Sequence, residues 1–209
     1  MKTMYRTLII ALILVPVIAF GSNSHEILLS LNDRIRLEVP KDWKFTVEKE
    51  LTLRFSNIKV KPKKGESFSM MLYFKCDTPD LAVFDTPSKM KRSIRESSQK
   101  YLPHIVEKEI TIKRIPIKHT YGYFTQFTDA SLAQVESPEP GKFKYMTRGM
   151  VRLSADTALG YSIMSNSLDS EEYSTLIDYV YSFVKAPKKA NKKINAEANF
   201  ATAQFAPVI

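Results

Sequence analysis

The feature that most restricts this chain is a repeated alternation of apolar and polar residues with a period of two. Ile35, Leu37 and Val39 alternate with Arg34, Arg36 and Glu38, and Phe45 and Val47 alternate with Thr46 and Glu48. Leu51, Leu53 and Phe55 alternate with Thr52, Arg54 and Ser56 in the same way. Successive side chains of a strand point to opposite faces, so each segment reads as a strand with one buried and one wet face. Asn32-Asp33, between segments 27–31 and 34–39, is hairpin chemistry, since both residues tolerate the backbone of a tight turn. Residues 59–65, KVKPKKG, read as a polar connection broken by proline. Met70, Leu72, Phe74 and Cys76 then mark a strand over 68–76.

Helical spacing appears twice. Thr86-Pro87 announces a helix, with threonine as N-cap and proline at the first helical position. Met90, Ile94, Tyr101 and Leu102 fall on one face, Lys89, Arg92, Arg95, Glu96 and Lys100 point away, and Pro103 is the expected stop. Further strands are expected over 105–114, 119–128, 142–153 and 159–165. A loop over 131–141 holds Pro138 and Pro140, and Ser154-Ala155-Asp156 forms a tighter turn. Asp169 to Glu172 gives an Asp-x-x-Glu helix start, followed by Tyr173, Leu176, Ile177, Val180 and Val184 at helical spacing. Strands, helix, strands, helix predicts an α+β domain, an antiparallel sheet packed with two main helices. The strict alternation a doubly wound sheet requires is missing.

The two ends differ from the middle. Lys2 and Arg6 precede an apolar run from Leu8 to Phe20 broken only by Pro16, and Ala19-Phe20-Gly21 offers a small-x-small cleavage site. A membrane-spanning helix needs about 20 apolar residues, so the shorter run reads as a cleavable signal peptide, residues 1–21. The expected location is periplasmic or secreted. Residues 22–185 form the expected domain, and 186–209, rich in alanine, lysine and asparagine, read as a disordered basic tail. The net charge is +9, but Lys2 and Arg6 leave with the signal, and five lysines from Lys185 onward face only Glu197. The intervening domain is nearly balanced, which argues against a nucleic-acid partner, whose binding face would be basic within the fold.

Chemistry is sparse. His25, His104 and His119 have no second ligand at zinc-site spacing. Cys76 is the single cysteine, which excludes an intramolecular disulfide, and its place in the alternation puts it on an apolar face, a poor setting for a thiolate. Cys76 with His104 or His119 would be the thiol-and-base pair of a hydrolase, but spacing does not bring them together. Glu171-Glu172 suits a helix start, and Glu136 and Glu139 sit in the proline-bearing loop. With six glycines and no phosphate-loop, dinucleotide or nucleophile-elbow motif, no catalytic, cofactor-binding or metal residues are expected and no cofactor is required. Alternation places Lys142, Lys144, Met146, Arg148, Met150 and Arg152 in one row, opposite Phe143, Tyr145, Val151 and Leu153. That row reads either as a solvated sheet face paired with Glu107 and Glu109, or as a site for an anionic lipid or a partner segment.

The alternating strand that ends Val39-Pro40, followed by x-x-Trp43, resembles the "VPxGW" opening of PsbP-like proteins, including bacterial envelope relatives of the DcrB type, with Asp42 where glycine is common. The central helix, the strands around Tyr121-Gly122-Tyr123-Phe124 and over 145–153, and the closing Tyr181-Ser182-Phe183-Val184 are also similar. The resemblance spans residues 26–184 and implies an α/β/α sandwich with roles in binding and assembly and no shared catalytic residues. Pro40 is then a strand terminator and Trp43 a large apolar cover at the sheet rim, on the order of 200 Å² of buried surface. The functional expectation is a non-enzymatic envelope module whose partner is a protein or a hydrophobic ligand. An anionic membrane surface is the alternative partner, and a hydrolase the second alternative.

Overall fold

The computed structural model describes residues 22–28, 34–49, 56–76 and 84–185. The expected signal peptide, the expected turn at Asn32-Asp33, the alternation over 51–55 and the expected tail 186–209 lie outside the described residues. Two strands, β1 (Ser22–Leu28) and β2 (Arg34–Pro40), form an antiparallel pair in which Ile27 faces Ile35. The main sheet contains β3 (Trp43–Lys49), β4 (Ser56–Pro62), β5 (Phe68–Cys76), β6 (Lys113–Arg114), β7 (Gly122–Thr128), β8 (Tyr145–Arg152) and β9 (Thr157–Ser165). Its order is β3-β4-β5-β9-β8-β7-β6, and every neighbouring pair is antiparallel. Helices α1 (Pro87–Ser98) and α2 (Glu171–Lys185) complete an α+β fold.

Period-two patterning explains why the helices lie on opposite faces of this sheet. Phe68, Met70, Leu72 and Phe74 of β5 join Leu159, Tyr161 and Ile163 of β9 and Val151 of β8 in one core with Tyr173, Leu176 and Val180 of α2. The residues one step out of phase turn the other way: Tyr123 of β7, Met150 of β8 and Ala158 of β9 meet Met90 and Ile94 of α1 and Phe84. Each fully buried side chain of this size contributes about 1.5–3 kcal/mol relative to exposure. The α2 side, with more such chains, holds the larger share of the core.

Trp43 opens β3 immediately after the Lys41-Asp42 turn that follows Pro40. It is buried in the α2-side core, edge-on to Phe68 at 5.2 Å and to Tyr179 at 5.5 Å. The strand-ending proline and the turn bring the indole back against α2, so its role is structural packing.

Several expectations are corrected. Residues 59–62 belong to β4 rather than to the expected connection over 59–65: Ile58 and Val60 are fully buried while Lys59 and Lys61 face the other way, and Pro62 falls at the strand end where its missing N–H is tolerated. Segment 105–114 is mainly irregular, with one bridge from Ile105 to Asp129 and the two-residue β6. Helix α1 stops at Ser98, and the chain continues as a 3-10 helix, Gln99–His104, that contains Pro103. Ser170 caps α2 through a hydrogen bond from the Tyr173 N–H at 3.1 Å, in place of Asp169. Thr86 caps α1 as its sequence indicated, accepting from the Lys89 N–H at 3.2 Å. The turn at Ser154-Ala155-Asp156 is also as read, with Ser154 Oγ donating to Asp156 at 2.7 Å.

Candidate functional site

Two cavities lie on or beside the α1 face, and strand β8 contributes to both. The larger, about 510 Å³, opens between the 3-10 helix, the ends of β7 to β9 and the segment leading into β8. Its apolar lining comes from Tyr101, Ile105, Phe127, Leu132, Phe143, Tyr145, Met146 and Met164. His104, Asp129, Ser131, Lys142 and Lys144 supply the polar part of the wall.

Local hydrogen bonds hold this wall in place. Asp129 accepts from the Ser131 N–H and hydroxyl at 2.8 and 2.6 Å, an Asx turn that fixes the exit from β7. Its own N–H donates to the Lys144 carbonyl, and the Ala130 N–H donates to His104. Asn166, just beyond β9, accepts from the Lys144 N–H at 2.8 Å and donates to the Lys142 carbonyl at 3.1 Å. The backbone carrying both lysines is therefore clamped on two sides. Lys142 pairs with Glu139 at 2.8 Å, which holds the glutamate carboxyl below its ordinary range. The Lys144 ammonium stands 5.9 Å from the centre of the Tyr145 ring.

The smaller cavity, about 120 Å³, lies under α1 and is lined by Tyr73, Lys75, Ser93, Ile94, Ser97, Ser98, Arg148, Gly149 and Met150. Arg148 donates to the Ser97 carbonyl at 3.0 Å and lies 5.1 Å from the centre of the Tyr101 ring. Tyr101 lines the larger cavity, so the Arg148–Tyr101 stack belongs to both walls. Burial pushes the Tyr73 hydroxyl above the ordinary tyrosine range, and the positive charge of Arg148 opposes that rise. Glycine at 160 makes this geometry feasible, because a Cβ there would stand 2.1 Å from the Tyr73 ring.

The basic row is thus real in its alternation but not a solvated face. Thr147 and Val151 point toward α2, where the Tyr173 hydroxyl shares a 2.7 Å hydrogen bond with Thr147. Met150 packs in the α1-side core, and Arg148 and Arg152 each stack on a tyrosine and donate to a backbone carbonyl. Lys142 and Lys144 precede the strand. Glu107, expected to neutralise the row, accepts from the Thr128 N–H and hydroxyl at the end of β7. The alternation of the row is legible in the sequence pattern, which carries no signal that α1 covers Arg148 and Met150.

The other singled-out residues do not converge. His104 is exposed at the larger cavity, while His119 lies before β7, at the opposite end of that strand. Cys76 pairs with Thr157 on β5, three strand spacings from β7, roughly 14 Å across the sheet. Neither histidine is therefore placed as its base. The side chains of Cys76 and His25 lie outside the described residues. Glu172 accepts from the Ser67 hydroxyl at 2.7 Å, tying α2 to the turn before β5 in addition to its place at the helix start. Among the described residues no group of His, Cys, Asp and Glu side chains is assembled to hold a metal ion. No helix among them is long and apolar enough to cross a membrane. No known family model matches this chain, and no curated protein matches it.

Proposed function

We propose that this chain is an exported, non-enzymatic binding module of the bacterial cell envelope that accepts a small hydrophobic ligand carrying an anionic group. The observation that carries the reading is the cleft of about 510 Å³, walled by aromatic and methionine side chains with Lys142 and Lys144 among its polar residues. That volume lies in the range of small-molecule sites, and predominantly apolar walls with a few placed polar groups are their usual composition. Methionine walls adapt to irregular apolar shapes, and lysine ammonium groups answer a carboxylate. The Lys2, Arg6 and Leu8-to-Phe20 pattern supports export, and the sheet with one helix on each face supports the PsbP-like resemblance as part of this proposal.

Titration of the full chain with a fluorescent medium-chain fatty acid tests the reading. Saturable binding is expected, and Leu132→Glu, which places a carboxylate in a half-buried wall position, is expected to weaken it at least about ten-fold. Reversing both Lys142 and Lys144 to glutamate should weaken the fatty acid more than its neutral alcohol. Absence of saturable binding by the folded chain, or binding indifferent to Leu132→Glu, would overturn the cleft as the ligand site.

A further inference from the structure

We propose that the small cavity beneath α1 is a binding site for a phosphate-class oxyanion, held by Arg148, Lys75 and the hydroxyls of Tyr73 and Ser98. This site is separate in chemistry from the larger cleft. Its lining among the described residues includes two cationic side chains, a phenol and three serines, and no carboxylate. A cavity of about 120 Å³ holds a group of a few heavy atoms and is too small for a nucleotide or an acyl chain.

Ser98 supplies the observation that points to a ligand. Its side chain is fully buried, it lies on the cavity wall, and its Oγ has no hydrogen-bond partner. A buried hydroxyl left unmatched costs about 1–3 kcal/mol, so the position is unfavourable unless something in the cavity accepts its proton. An oxyanion supplies that acceptor. Helical periodicity alone gives no reason for a serine here: Ile94 and Met90 occupy the same buried stripe one and two turns earlier, and an alanine or leucine would continue it.

Arg148 is prepared for the same task. The Ser97 carbonyl and the Tyr101 ring fix its guanidinium, yet neither removes its charge. A guanidinium has five N–H donors in a planar fork that matches the paired oxygens of a phosphate, and it stays cationic at any physiological pH. Tyr73 reaches the same cavity by lying over Gly160. Lys75, two residues further on β5 and so on the same face, adds a second positive charge. Burial keeps the Tyr73 hydroxyl protonated, so it remains a donor.

Calorimetric titration of the full chain with inorganic phosphate is the test, with thermal unfolding to confirm that each variant is folded. One saturable site is expected. Arg148→Gln should weaken it by at least about ten-fold, the loss of one charge-assisted hydrogen bond. Because Arg148 also braces α1, Ser98→Ala and Tyr73→Phe provide the decisive variants. Each removes one oxygen without changing side-chain packing, and each should weaken phosphate several-fold; Ser98→Ala, which removes an unmatched hydroxyl, should leave thermal stability unchanged or raised. Two further arms separate the sources of the anion. Glycerol phosphate in solution tests a soluble monoester, and vesicles containing phosphatidate tests a lipid headgroup. Arg148-dependent vesicle sedimentation assigns the headgroup, whereas phosphate binding with no vesicle binding assigns the free ion or a soluble ester. No saturable phosphate binding, or affinity unchanged in both Ser98→Ala and Arg148→Gln, overturns the site. Fatty-acid binding is measured independently, so failure of either site leaves the other standing.

Discussion

At the scale of single residues, two tyrosine rings lie over glycines from opposite sides of one sheet. Tyr73 on β5 crosses Gly160 on the α1 side, and Tyr161 on β9 crosses Gly149 on the α2 side. Each glycine stands directly opposite its tyrosine in the strand register, so the ring occupies the space a side chain would fill. The two sites differ in what would have to yield. A Cβ at position 149 would stand 2.5 Å from the Tyr161 ring and 2.7 Å from the Tyr123 carbonyl oxygen, with Tyr161 fully buried under α2. The three atoms nearest a Cβ at 160 all belong to the far end of the half-buried Tyr73 side chain, with no backbone atom among them. Gly149→Ala is therefore expected to destabilise the domain by about 3 kcal/mol and Gly160→Ala by about 1 kcal/mol, read by urea denaturation. Equal costs would show that the Tyr161 side relaxes as freely as the Tyr73 side. Gly160→Ala should also weaken phosphate, because it displaces a proposed donor without touching the others.

At the scale of elements, the helix starts show how a sequence reading can name the right helix and the wrong cap. Asp169 and Glu172 fit the spacing of a capping box, yet the Asp169 N–H donates to Ser167 Oγ at 3.3 Å, and it is Ser170 that accepts from Tyr173. Ser170→Ala should cost about 1 kcal/mol of stability, and Asp169→Ala much less, in parallel thermal melts. The reverse order would return the cap to Asp169. The strands were legible wherever one face is buried, because period-two alternation is itself the record of that burial. Ile58 and Val60 carry the same record, but Lys59, Lys61 and Pro62 beside them resemble a loop when the sheet face beside Lys59 and Lys61 is unknown. Segment 105–114 shows the converse. Its alternation is irregular, and its hydrogen bonds run instead through the Ile105–Asp129 bridge and Glu107 to the end of β7. The cavities were not legible at all. Tyr73, Ser98 and Arg148 come from β5, α1 and β8, and only the crossing of α1 over the sheet brings them together. Nothing in their spacing encodes that crossing.

At the scale of the whole molecule, the phenols beneath and along α2 link stability to alkaline pH. Burial pushes Tyr161 well above its ordinary value, with nearby tyrosines adding to the rise. Burial likewise raises Tyr179, and pushes Tyr181 up to about 12. These groups are neutral when protonated, and the fold holds those protons more tightly than the unfolded chain does. Their contribution is therefore complete below the unfolded value near pH 10 and is lost as pH rises toward the folded values. Denaturant midpoints should stay level with respect to these groups below about pH 10 and fall progressively from there to about pH 12. Tyrosinate absorbance should show a delayed component that appears together with loss of near-ultraviolet dichroism, because Tyr161 can ionise only when the α2 layer opens. Tyr179→Phe keeps the ring that packs against Trp43 at 5.5 Å and Phe183 at 5.4 Å while removing one ionising group. That variant should unfold at a higher alkaline midpoint with its neutral-pH stability preserved. If all the tyrosines ionise near pH 10 while the dichroism persists, α2 does not seal this face of the sheet.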